Sequence, residues 1–167
     1  PPRGLSVVAH AASAATAHKP LDAGVDGLAP LPIPEPGSGS IGELVDRVSR
    51  SGTFVVTTLV SLASLLGQDA GANPLTPRTT DRVGGRWRAH LRLRAGPRDD
   101  AVWDRVLRLC AAMIDAGVPL QAGTDAAFPG VVPGASLHAE LHLLRSCGMS
   151  VTRALSAATS GPSGSLW

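Results

Sequence analysis

Two side chains in this sequence stand where hydrolytic chemistry could be done. His10 directly follows the apolar run Leu5–Ala9, and Asp125 lies in Gly123-Thr124-Asp125-Ala126, just after Val118–Ala122. A neutral imidazole binds Zn²⁺ through one nitrogen, and a carboxylate can ligate the metal while also taking a proton from metal-bound water. In βα barrels such groups sit at the C-terminal ends of strands, where side chains converge on the open face. Each residue also has a plainer reading. His10 can be a strand-end histidine bonded to backbone, and Asp125 can form an Asx-turn or cap a helix.

The remaining polar candidates divide in the same way. His138 and Glu140 open a helical stretch and could shape a pocket rim, His138 as a substrate-binding group; an acid near a helix N-terminus is also favoured by the dipole alone. His142 follows His138 at a spacing that lets two imidazoles share a metal, but no HExxH pattern accompanies them, so they read as a surface face. His18 and His90 receive no role. Arg78, Arg82, Arg86, Arg88, Arg92, Arg94 and Arg98, with Trp87 among them, make one segment basic. That segment reads either as an anion-binding lid or nucleic-acid contact, or as a solvated excursion. The second is favoured because several aromatics, which a stacking platform needs, are missing.

The elements that must position these groups follow from hydrophobic spacing. Short apolar runs at Leu5–Ala9, Val25–Ala29, Thr53–Leu59 and Val118–Ala122 alternate with helical patterns, as in βα units with a parallel sheet. None alternates with polar residues, so the strands are expected to be covered on both faces. The clearest helix is Val102–Ala116, capped by Asp99 or Asp100 and stopped by Gly117. A second runs from Leu137 to Cys147, with Ser136 as a candidate N-cap and Gly148 as its stop. Ser150 opens a short third helix, Ile41–Arg50 forms a surface helix, and Ala11–Ala23 is weakened by Pro20. Pro30–Ser40, with four prolines and two glycines, is a loop, and Gln68–Arg98 is a long connection.

Length and composition bound the rest. A chain of 167 residues, 44% hydrophobic, suits a single domain with one core. The net charge of +2 is too small to imply a nucleic-acid partner. Cys110 and Cys147 fall within helical patterns and read as buried free thiols of a reducing compartment. With no apolar stretch of membrane-spanning length and no secretory leader, a cytoplasmic location without membrane contact is expected. The chain reaches its first strand directly after Pro1-Pro2-Arg3 and stops at Leu166-Trp167, so both ends read as cut.

In order and spacing, the runs VVAHA, AGVDGLA, TFVVTTL, AGVPLQAGTDA, PGASLHAELHLLRSCGMS and RALSAATSGPS resemble the later half of amidohydrolase superfamily enzymes of the imidazolonepropionase-like and prolidase-like kind. The resemblance runs from Leu5 to about Gly164. It implies an α/β fold, a partial TIM (β/α)₈ barrel comprising about strands 5 to 8. Residues 1–167 would then be the C-terminal half of a barrel domain, with a long loop at about 68–98. It also implies a divalent metal, zinc, bound by His10 after strand 5 and Asp125 after strand 8, with Asp125 as general base. The family's strand 6 histidine is replaced by Pro30, and strands 1 to 4 with their ligands have no counterpart.

The expected activity is hydrolysis of C–N bonds in an amide, cyclic amide or dipeptide, by metal-activated water, as part of a longer chain. The alternative is a catalytically inactive fragment serving as an interaction module. Its partner would be the missing N-terminal barrel half or a second copy. An open doubly wound nucleotide-binding domain also fits the βα pattern but lacks a glycine-rich phosphate turn.

Overall fold

The computed structural model describes residues 5–69 and 81–162. The expectations for Pro1–Arg3, Arg78 and the Leu166-Trp167 end lie outside these residues. Four strands, β1 (Val8–His10), β2 (Gly27–Ala29), β3 (Phe54–Val56) and β4 (Leu120–Gln121), pair in parallel in the order β1-β2-β3-β4. Strands that neighbour in sequence neighbour in space. The order never reverses, so the sheet has no topological switch point and does not match the doubly wound alternative.

Registered residues of a parallel sheet share a face, and successive residues alternate. Ala9, Leu28, Val55 and Leu120 therefore form one row across the sheet. Leu28, Val55 and Leu120 are buried in the main core, and Ala9 packs against it. Full burial of such a side chain stabilises by about 2 kcal/mol. The opposite face carries His10 beside Ala29 and Val56 beside Gln121, and below them Val8, Gly27 and Phe54. The Phe54 ring lies over Gly27, where a Cβ would come within 2.4 Å of it. This face is not fully covered: Val8 is 43% exposed, and His10 is exposed too. The expectation of strands buried on both faces is thus corrected, because only one face packs into the helices' core.

Helices fill the connections. α1 (Ala14–Asp22) starts from a capping box between Ser13 and Thr16 and holds Pro20 near its C-terminal end. α2 (Ile41–Ser51) is capped by Ser40 and stopped by Gly52 at φ 70°, and it buries Leu44, Val45 and Val48. α3 (Leu59–Leu65) follows β3 directly. The expected Thr53–Leu59 strand is therefore too long: β3 ends at Val56, the Thr57 N–H still donates to the Gln121 carbonyl at 2.9 Å, and Leu59 begins a helix. Because Leu59 to Ser64 are all buried, α3 has no amphipathic period to reveal it. α4 (Gly85–His90) breaks up the long connection. α5 (Asp100–Asp115), capped by the Asp99 side chain on the Val102 N–H at 3.0 Å, buries Val106, Leu109, Cys110, Met113 and Ile114. α6 (Ala135–Ser146) and α7 (Val151–Ala157) complete the set, and Ser150 caps α7 as expected. Ser136 is not the cap of α6. Gly134 holds that position, and Ser136 Oγ instead accepts from the Val132 N–H at 2.8 Å. Cys110 and Cys147 are buried and free. Among the described residues no helix is long and apolar enough to cross a membrane.

One buried polar contact ties α6 to the end of β3. Glu140 is 0% exposed. Its Oε1 accepts from the Thr57 hydroxyl and from the Leu59 N–H at 3.0 Å, and Oε2 accepts from the Val60 N–H at 2.8 Å. Thr58, the N-cap residue of α3, makes no side-chain cap bond of its own, so Glu140 caps that helix from across the core. Burial pushes the Glu140 carboxyl up to about 7 from an ordinary 4.5, against the opposing pull of its Thr57, Val60 and Leu59 donors.

The sign of the linkage follows. The unfolded chain releases this proton near 4.5 and the folded protein near 7, so folding takes up a proton in between. Glu140's contribution to stability is fully present below about 4.5, declines as pH rises, and is lost above about 7. That shift corresponds to about 3 kcal/mol. Urea unfolding at about pH 5 and about pH 8 should therefore show the parent losing stability relative to Glu140→Gln as pH rises. Equal pH slopes in the two proteins would show that Glu140 is ionised in the fold at ordinary pH.

Candidate functional site

The C-terminal ends of the four strands come together at one cavity. His10 closes β1, Pro30 follows β2, Thr58 follows β3, and Gly123 and Asp125 follow β4. These residues, with Ala29 and Val56, line a cavity of about 330 Å³. Strand alternation explains the set: His10, Ala29 and Val56 lie on the sheet face that does not pack into the helical core. The fold thus brings His10 and Asp125 to one cavity from the two outer strands. Pro30 forms part of its wall and offers neither an amide hydrogen nor a ligating atom.

Local backbone geometry shapes the walls. Gly123 must be glycine, because a Cβ there would lie 2.4 Å from Val56 Cγ1 and 3.5 Å from Thr58 Cγ2. Asp125 has φ 53° and Thr58 φ 45°. Aspartate tolerates the left-handed region, but a β-branched threonine there is an outlier whose strain is of order 1–3 kcal/mol. Glu140 holds Thr58 in place by bonding the residues on either side of it. The Thr58 Oγ1 is buried and has no hydrogen-bond partner among the described residues.

The Asp125 loop is fastened from behind. The Phe128 N–H donates to the Asp125 carbonyl at 2.9 Å, and His90 Nε2 lies 3.0 Å from the Phe128 carbonyl. Ser64 Oγ donates to the Pro129 carbonyl at 2.5 Å. His90, expected to have no role, thus positions the loop that carries Asp125, with its ring edge-on to Trp87 at 5.4 Å.

His138 stands elsewhere. It is exposed near the start of α6 and lines a second cavity with Trp87 and Arg82, sharing no lining residue with the His10–Asp125 cavity. His142 is exposed further along α6 and lines neither cavity. His18 lies on α1 with its Nδ1 buried and unpartnered among the described residues. Glu140 is a strut of the interior and not part of a rim.

The donor set bears on the expected metal. Among the described residues no group of three or more His, Cys, Asp and Glu side chains could hold an ion. His10 and Asp125 supply two donors, whereas catalytic zinc sites use three protein ligands and a water. The described residues of this chain therefore do not complete a metal site by themselves.

No protein-family model matches the chain, and no curated protein is significantly similar to it in sequence. Among solved structures it is similar to a Xaa-Pro dipeptidase with bound methionine in its active site, with a TM-score of 0.64 and 21% identity, covering 98% of this chain and 34% of that one. It is also similar to a bottromycin amidohydrolase, with a TM-score of 0.60 and 24% identity, covering 98% of this chain and 41% of that one. The chain therefore shares its fold with a part of each of these proteins and spans well under half the length of either.

Proposed function

We propose that this chain is the strand 5 to 8 half of a (β/α)₈ barrel hydrolase acting on C–N bonds of an amide, cyclic amide or dipeptide. The observation that carries the reading is the meeting of His10 and Asp125 at one cavity, at the C-terminal ends of β1 and β4. In this reading Asp125 takes the proton of the attacking water and later delivers it to the leaving nitrogen, as a positioned general base and acid. A divalent metal, zinc, would supply polarisation of the water, held by His10 and Asp125 together with donors from outside these 167 residues. Fold likeness to a dipeptidase and an amidohydrolase adds support by analogy.

The test uses a protein that carries four further barrel strands upstream of these residues. It should retain zinc through gel filtration and hydrolyse at least one member of a panel of amides, cyclic amides and dipeptides. Asp125→Asn should lower kcat by about 10²–10⁴-fold. His10→Ala should lower metal content. A protein that holds no metal and hydrolyses nothing, or one unaffected by Asp125→Asn, would end the proposal.

A second reading, an interaction module, has its own support. Leu5 and Val8 are 66% and 43% exposed along the β1 edge, and Val151 and Leu155 are 51% and 53% exposed on α7, beside β4. Unpaired strand edges flanked by apolar side chains invite association. Light scattering of the 167-residue chain should then report a dimer or larger species. A monomer that binds no ANS would contradict this reading.

A further inference from the structure

A second cavity lies away from His10 and Asp125. It measures about 630 Å³, within the range of small-molecule sites. One wall is Arg82, Val83, Gly84 and Trp87 of the long connection, and the other is Val132 to Ala135 with His138 at the start of α6. The two walls are held by a small core of their own, in which Leu91 and Val132 are buried against Val83, Trp87 and Ala135.

Its lining is chemically one-sided. The apolar part is Trp87, Val83, Val132, Pro133 and Ala135, and the polar side chains are Arg82 and His138, with no acidic residue among the described lining residues. Arg86 adds a further cation, 5.5 Å from the centre of the Trp87 ring. The N-terminal end of α6 points the same way electrostatically, and its cap, Gly134, has open space where a side chain would stand. An anion is favoured at such a place, and a guanidinium paired with an imidazole suits a single carboxylate. The indole and the branched side chains beside them favour an apolar or aromatic body.

We propose that this cavity is a second ligand site, which takes a small monocarboxylate bearing an aromatic or branched apolar group. The proposal does not rest on the hydrolytic reading, since the two cavities share no residue. Trp87 recognises the body of the ligand, and Arg82 and His138 recognise its carboxylate.

The probe is phenylacetate, followed through the indole N–H resonance of Trp87 in the 167-residue protein, assigned by its loss in Trp87→Leu. A saturable shift with Kd of about 1 mM or tighter is expected. Phenylacetamide, of the same shape but uncharged, should bind about ten-fold more weakly, as should phenylacetate to Arg82→Gln. His138→Gln provides a second variant should Arg82→Gln disturb the fold, and circular dichroism identifies that case. Acetate alone should leave the resonance unmoved. The proposal is overturned if phenylacetate gives no saturable shift up to about 10 mM. It is equally overturned if phenylacetamide binds as well, or if neither Arg82→Gln nor His138→Gln weakens binding.

Discussion

Glu140 is wholly buried, and a carboxylate taken out of water costs several kcal/mol unless donors meet it. Here three donors do, and all belong to the turn between β3 and α3. The contact joins residues 80 to 83 positions apart and sets α6 against the sheet's third strand. It also caps α3, whose own N-cap residue supplies no side-chain bond. Without these bonds the turn would have to satisfy the Leu59 and Val60 amides elsewhere, and the left-handed Thr58 would lose the flanking bonds that hold it.

The consequence for the candidate site is geometric. Thr58 forms part of the cavity wall with His10, and the Val56 methyl beside it leaves no room for a Cβ at position 123. Gly123 in turn lets the chain after β4 pass close to Val56 before turning at Asp125. His90 and Ser64 then hold the far side of that loop through the Phe128 and Pro129 carbonyls. A buried carboxylate, a strained threonine, an obligatory glycine and a loop-fastening histidine thus act in series to place Asp125 on the same cavity as His10.

Much of this architecture was legible in the sequence because its signals are local. Short apolar runs marked the four described strands, and Asp99 and Ser150 marked helix starts through capping chemistry. His10 and Asp125 were legible by their position after such runs. α3 was not, since a helix buried on every side carries no amphipathic period. The role of Glu140 was hidden for a related reason: near a helix start an acid is already favoured by the dipole, and only the tertiary fold shows that it reaches Thr57. The open sheet face was also invisible, because Val8, Ala29 and Val56 are apolar whether or not a neighbour covers them. Ser136 failed as a cap because Gly134, at φ 73°, takes the turn two residues earlier.

The arrangement depends most on the bonds to the β3–α3 turn made by Glu140, a fully buried carboxyl that burial pushes up to about 7. Carbon-13 NMR of the Glu140 carboxyl group, with the Leu59 and Val60 amide protons followed in parallel, measures this directly. The expected result is a midpoint near 7, with both amide resonances moving on the same titration curve. A midpoint near the ordinary 4.5, with Leu59 and Val60 unresponsive, would contradict the account.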